Sequence, residues 1–398
     1  MKKFHTDKLG TVCVDPTPQK FKKRSMHKWL MLFLIILCQS AFGVDESELS
    51  TYLEQVLEER NIPGLRAAVR TVDGNIISSA VGLADKEADI RLTNDVGMPG
   101  GSTGKTFVAV LTMMLVEEGI LSTDDLAGKY LGDREWFHDL PNADEIRVKH
   151  LLSHSSGVQD YRDSFRCNIL SIWRILRIGS NKFEPEELID CVLDRDPLFP
   201  VGEGFYYTDA GYLVLGRLIE AASGREYYRL LQEKILDPLE LHQIRPQDRE
   251  LLPDITPGYA SGARNLRKDG TAKYNPISEW TGGGLVTNPT MLVKFYGALV
   301  ENRLVSQKIL DQMIEGEWKN PEDPSFHYGY GLFVYNNSSS FGHAGMWPGY
   351  RTHVIHYPET GTTIAVQSNR DGRIDLPSVV AGINSRATDL SNPPQTNF

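Results

Sequence analysis

Ser102-Thr103-Gly104-Lys105 sets a hydroxyl and an amine three residues apart, just ahead of a long apolar run. On a helix, residues three apart share a face, so the Lys105 amine can lie beside the Ser102 hydroxyl. A helix N-terminus adds free backbone N–H groups and the positive end of a dipole, both of which stabilise developing negative charge. A serine beside an amine, placed where an oxyanion is favoured, is what nucleophilic acyl transfer requires. A bare S-x-x-K is often only a solvated serine and a surface lysine. Here Thr106 to Val116 read TFVAVLTMMLV, apolar on every face and uncharged, which predicts a buried helix behind the pair.

The same stretch nearly matches a phosphate-binding loop, since Pro99 to Thr106 read PGGSTGKT. Pro99 stands where the first glycine is needed, and it lacks an N–H and fixes φ. The preceding RLTNDVGM is polar and turn-like, whereas a phosphate loop must follow a buried strand. Nucleotide binding is therefore set aside.

The elements that must position the pair can be read from the rest of the 398 residues. Residues 1–28 carry eight Lys/Arg and two Asp, a net +6; the overall charge of −10 therefore leaves −16 on the remainder. An acidic body without a basic stripe argues against nucleic acid. Trp29 to Val44, WLMLFLIILCQSAFGV, follows the basic start and ends in small-x-small Ala41-Phe42-Gly43. That pattern predicts a secretory signal over 1–43, with Met26 an alternative start, and an exported protein, periplasmic or secreted. Sixteen residues fall short of the ~20 of a spanning helix, so the membrane is met only through this segment if it stays uncleaved. Beyond it, Cys167 and Cys191 could pair or remain two buried thiols. No metal-thiolate pattern is present, His150 and His154 lack the H-E-x-x-H context, and neither metal nor cofactor is expected.

Glu46 to Arg60 has the spacing of an amphipathic helix, and Leu65–Val72 and Asn75–Gly82 read as strands paired around Asp73-Gly74. Residues 121–275 read as helices and loops. After the helix at Met291–Val300 the period changes to two, with strands expected at 330–335, 340–343, 350–356 and 362–367, and a helix at 376–383. The expected fold is α/β (α+β). An antiparallel sheet is built from both chain ends, over 44–120 and 276–386, and is flanked by helices. A mostly helical region, 121–275, is inserted, and 387–398 is a disordered tail.

Two further stretches join the Ser/Lys pair: Tyr207-Thr208-Asp209 at the mouth of a second apolar helix, and His343-Ala344-Gly345 on a late strand. Taken alone, Tyr207 could be a core aromatic and His343 a hydrogen-bonded strand histidine. With the three in order, the chain resembles the serine β-lactamase and penicillin-binding protein superfamily, in its class C-like branch. That branch holds D-alanyl-D-alanine carboxypeptidases, D-aminopeptidases and esterases. The S-x-x-K, Y-x-N and K-T-G or H-x-G elements match Ser102–Lys105, Tyr207–Asp209 and His343–Gly345. Leu115–Gly119, Leu151–Gly157, Gly282–Val286 and Gly342–Gly345 are also similar, so that the resemblance covers roughly residues 46–385.

The resemblance implies Ser102 as nucleophile, Lys105 and Tyr207 as the proton-handling pair, and an oxyanion site at the N–H groups of Ser102 and Met346. Three departures bear on substrate. Asp209, expected with Gly345 and Met346 among the substrate-binding residues, stands where Asn is usual, an acceptor-only carboxylate that should hold Lys105 charged and move the role of base toward a Tyr207 tyrosinate. His343 replaces Lys, giving an anion anchor expected to titrate near neutrality. Ala344 removes a hydroxyl, for which Arg351 is the expected substitute on a substrate carboxylate. These departures point away from a strict class C-like β-lactamase. The expected protein is a serine hydrolase that forms an acyl-enzyme on a small molecule or short peptide, such as a D-alanyl-D-alanine stem terminus of peptidoglycan. An esterase or a class C-like β-lactamase is the first alternative, and a non-catalytic penicillin-binding-like module the second.

Overall fold

Asp73 and Gly74 close the first hairpin. Gly74 takes φ 87°, and the Asp73 carboxylate accepts from Asn75 Nδ2 at 2.5 Å. This hairpin begins the main sheet of a computed structural model that describes residues 45–178, 183–319, 321–323, 325–372 and 374–389. The secretory segment expected at 1–43 lies outside these residues.

The strands are β1 (Gly64–Arg70), β2 (Ile76–Asp85), β3 (Ile90–Arg91), β4 (Phe326–Tyr328), β5 (Phe333–Tyr335), β6 (Ser340–Trp347), β7 (Tyr350–Tyr357) and β8 (Thr362–Ser368). The helices that matter here are α1 (Glu46–Arg60), α2 (Gly104–Glu117), α3 (Phe165–Ile178), α4 (Asp209–Ser223), α5 (Pro289–Val300) and α6 (Leu376–Asp389). The eight strands run β3-β2-β1-β8-β7-β6-β5-β4, every pairing antiparallel. The two chain ends meet at β1–β8, with Ala67 opposite Val366. The expected sheet from both termini is thus the observed one. Short strands at Arg245–Pro246, Tyr259–Ala260 and Ala263–Arg264 fall where none is expected, because two residues carry no periodicity. Helix α6 continues through 387–389, the start of the expected tail; 390–398 lie outside the described residues.

Alternation divides the sheet residues between two cores. Leu65, Ala67, Val69, Ile355, Ile364 and Val366 pack with α1 and α6, whereas Ala68, Val354 and Ala365 join α2, α4 and α5. Helix α2 is sealed within the second core: Phe107, Val108, Val110, Leu111, Met113 and Leu115 are each at most 1% exposed. Each large side chain buried this way contributes about 1.5–3 kcal/mol, so the N-terminus of α2 is a fixed platform.

Fully buried Arg66 of β1 sets the approach to that platform, donating to the carbonyls of Val96 (2.6 Å) and Thr93 (3.1 Å) and to Gln367 Oε1 (2.8 Å). Burial lowers its pKa to about 9, against the opposing charge of Asp95. Cys167 of α3 is bonded to Cys191, closing a loop of 24 residues. Non-reducing peptide mapping should recover this cross-link. Reduction should cost about 3 kcal/mol on the chain-entropy account, and free thiols at both positions would contradict it.

Candidate active site

Ser102 lies in the one-turn 3-10 segment Gly101–Thr103 that leads directly into α2. Gly101 adopts φ 55°, and a Cβ there would lie 2.5 Å from the Met346 nitrogen and 2.6 Å from its carbonyl oxygen. The Met346 main chain therefore faces the turn that carries Ser102. Strand β5 pairs with β6 only through Gly342, leaving His343 to Trp347 with an unpaired edge on that side. Gly345 abuts the Gly100 carbonyl, which a Cβ would approach to 1.9 Å. Sheet edge and helix start thus meet at glycines, because only bare backbone fits.

Lys105 is fully buried. Its Nζ donates to Ser102 Oγ at 3.3 Å, to Asp209 Oδ1 at 2.5 Å and to the Gly282 carbonyl, and it lies 4.9 Å from the Tyr207 ring centre. Burial alone would favour a neutral amine, but the Asp209 charge and Tyr207 outweigh it and raise the pKa above the ordinary value. Asp209 is the mirror case. Burial pushes its carboxyl up, yet Lys105 and Arg162 bring it below the usual range, with Arg162 at 3.3 Å from Oδ2. Asp209 is therefore occupied in holding Lys105 and is not the substrate ligand expected.

Thr208 N-caps α4, its hydroxyl accepting from Gly211 N, while its own N–H donates to His154 Nδ1 at 3.2 Å. The next N–H, of Asp209, donates to buried Asp160 Oδ2 at 2.5 Å. Asp160 also accepts from Arg162 Nε at 2.7 Å. The segment His154–Arg162 thus fixes the Tyr207–Asp209 motif, and Asp160 and Arg162 within it were not singled out from sequence. A buried charge in a loop has no periodicity to betray it.

The Tyr207 hydroxyl is buried and close enough to Ser102 and Lys105 to feel both, yet it makes no hydrogen bond of ordinary geometry. Burial raises its pKa, Lys105 opposing and Asp209 adding to the rise. The expected tyrosinate is therefore not the resting form. Both Lys105 and Tyr207 rest protonated.

His343 departs furthest from expectation. It is completely buried, and Nε2 accepts from the Tyr328 hydroxyl at 2.8 Å while Nδ1–H donates to the Ala344 carbonyl at 2.6 Å. These partners assign the neutral Nδ1–H tautomer. Burial, then Lys105, lower its pKa to about 3. It is not a titrating anion anchor near neutrality but an uncharged buttress. Arg351 stands opposite Met346 in the ladder. By alternation it shares a face with Ile355, on the α1/α6 side, not with His343 and Val354. It also shares that face with Ala344 and Met346, and no hydrogen bond or ion pair joins it to Ser102, Lys105 or Asp209 among the described residues.

A cavity of about 260 Å³ adjoins the site, its walls including Tyr161, Arg162, Asn275, Glu279 and Trp347. A larger groove of about 730 Å³, lined by Ala84, Leu252 and Leu266, contains none of the site residues.

A family model described as Beta-lactamase matches residues 49–381. Penicillin-binding protein 4* of Bacillus subtilis is 27% identical over 287 residues, 68% of this chain and 60% of that protein. A teichoic acid D-alanine hydrolase of Staphylococcus aureus is 26% identical over 262 residues, 65% of this chain and 59% of the relative. The chain thus spans about 60% of the length of these curated relatives. Among solved structures, a D-stereospecific amidohydrolase from Streptomyces is 25% identical, with a TM-score of 0.69 over 81% of this chain and 94% of that one.

Proposed function

Because the chain belongs to the Beta-lactamase family, we propose that it is an exported serine hydrolase that acylates Ser102 with a small ester or amide of a D-amino acid. The observation that carries this reading is the Ser102 hydroxyl held at 3.3 Å by a fully buried ammonium, at a turn pressed against the Met346 backbone. Ser102 Oγ bonds to the acyl carbon, and its proton leaves through the Tyr207–Lys105 pair to the departing oxygen or nitrogen. The N–H groups of Ser102 and Met346 receive the oxyanion, and water then cleaves the acyl-enzyme. The basic and apolar start of the chain supports export.

Neutral His343 and the missing hydroxyl at Ala344 leave a C-terminal substrate carboxylate poorly served, which favours D-aminoacyl esters and amides over stem-peptide termini. The D-alanine hydrolase and D-stereospecific amidohydrolase among the relatives support the same choice. A panel tests it: D-alanine esters and amides, D-Ala-D-Ala peptides, and a fluorescent penicillin. The D-aminoacyl compounds should give the highest kcat/KM. Preferential turnover of the peptides would restore the carboxypeptidase reading, and reaction with none would leave a binding module.

A further inference from the structure

Three walls of the cavity of about 260 Å³ are linked to the Ser102 site through the chain or through an ion pair. Arg162 reaches it from its ion pair with Asp209, and Trp347 follows Met346 on the β6 edge. Glu279 enters just before Trp280, whose φ of 31° is rare for a bulky residue. That kink starts the turn in which the Gly282 carbonyl accepts from Lys105 and Gly283 packs against Gly101 and the Ser102 amide. A carboxylate on this wall is therefore tied to the nucleophile through a short, strained backbone.

The charges around it nearly close. Lys105 and Arg162 are the two cations, Asp160 and Asp209 the two anions, and all four are joined by ion pairs. His154 and His343 are uncharged because burial lowers both. Glu279 remains outside this balance, and its carboxylate has no hydrogen-bond or ion-pair partner among the described residues. A partly buried, unpaired carboxylate facing a cavity costs free energy that an incoming cation recovers.

We infer that Glu279 is a specificity residue that receives an ammonium group on the acyl part of the substrate, so that the site selects esters or amides of amino acids with a free amine. This rests on the reading of Ser102 as the nucleophile. Burial, then the Asp209 charge, raise the Glu279 pKa to about 7, with Lys105 and Arg162 opposing and Asp160 adding to the rise. An ammonium beside it would restore the ionised form.

The test compares phenyl esters of D-alanine and of propionic acid, which differ by the amine. In Glu279→Gln the ratio of kcat/KM, D-alanine ester to propionate ester, should fall on the order of 10- to 100-fold, the value of one hydrogen bond to a charged group. An unchanged ratio would overturn the inference. The wild type gives a second reading: below about pH 7 its KM for the D-alanine ester should rise as Glu279 takes up a proton, while that for the propionate ester stays flat. Parallel KM profiles would also overturn it. Ser102→Ala is run alongside; retained hydrolysis of both esters would show instead that the nucleophile is misassigned, a separate failure.

Discussion

Ser102→Ala should lower turnover by about 10⁴-fold or more, as expected for the loss of an activated nucleophile, and should abolish labelling by an acyl phosphonate. Tyr207→Phe should lose nearly as much. Its hydroxyl has no partner of ordinary geometry, so the phenol is not needed to satisfy a buried neighbour. Its removal takes away a relay between Ser102, Lys105 and the leaving group while the ring keeps its contacts with His154 (4.3 Å) and Phe333 (6.0 Å). Folding should therefore survive, and denaturation midpoints should move little. A Tyr207→Phe enzyme that keeps more than a tenth of wild-type turnover would place the proton path through Lys105 alone.

Asp209→Asn is the second large effect, and its sign is opposite. The amide keeps an acceptor for Lys105 but removes the negative charge that outweighs burial. Burial then acts with less opposition and the lysine pKa falls, so more free base is present at neutral pH. The acidic limb of the pH–rate profile should move to lower pH, and kcat/KM near pH 7 should rise on the order of tenfold, one factor of ten for each unit the limb moves. A limb that stays in place would exclude Lys105 from proton transfer. Stability should move the other way. The folded Asp209 pKa lies below the usual carboxylate value, so its contribution is present above about pH 4 and lost as pH falls toward the folded value. Asp209→Asn forfeits that contribution, and urea titrations at pH 7 should report a less stable protein.

Activity and stability trade against each other at one carboxylate. Asp209 locks Lys105 and Arg162 into the buried network and, by the same charge, keeps the lysine protonated.

The sequence by itself determined the chemistry-bearing residues that lie within one element and the order of the elements. Ser102 and Lys105 needed only helical spacing and an apolar continuation, and those are local properties of the chain. The sheet from both ends was legible in alternation, and the first hairpin in Asp73-Gly74. The charged Lys105 also followed from chemistry, given an aspartate where an amide is usual. What the tertiary structure decided are the quantities set by surroundings. His343 has an ordinary imidazole in sequence; its neutrality comes from complete burial and then from the charge of Lys105, and its orientation from Tyr328, fifteen residues away. Arg351 is near Ala344 along the chain and shares its face of the ladder, but no hydrogen bond or ion pair joins it to Ser102, Lys105 or Asp209 among the described residues. Asp160, Arg162 and Glu279 lie in or at the start of one-turn 3-10 segments too short to carry a periodic signal, and only folding gathers them around Asp209 and Lys105. Spacing along one helix is fixed by covalent geometry, whereas burial and charge pairing depend on which distant segments close over a site.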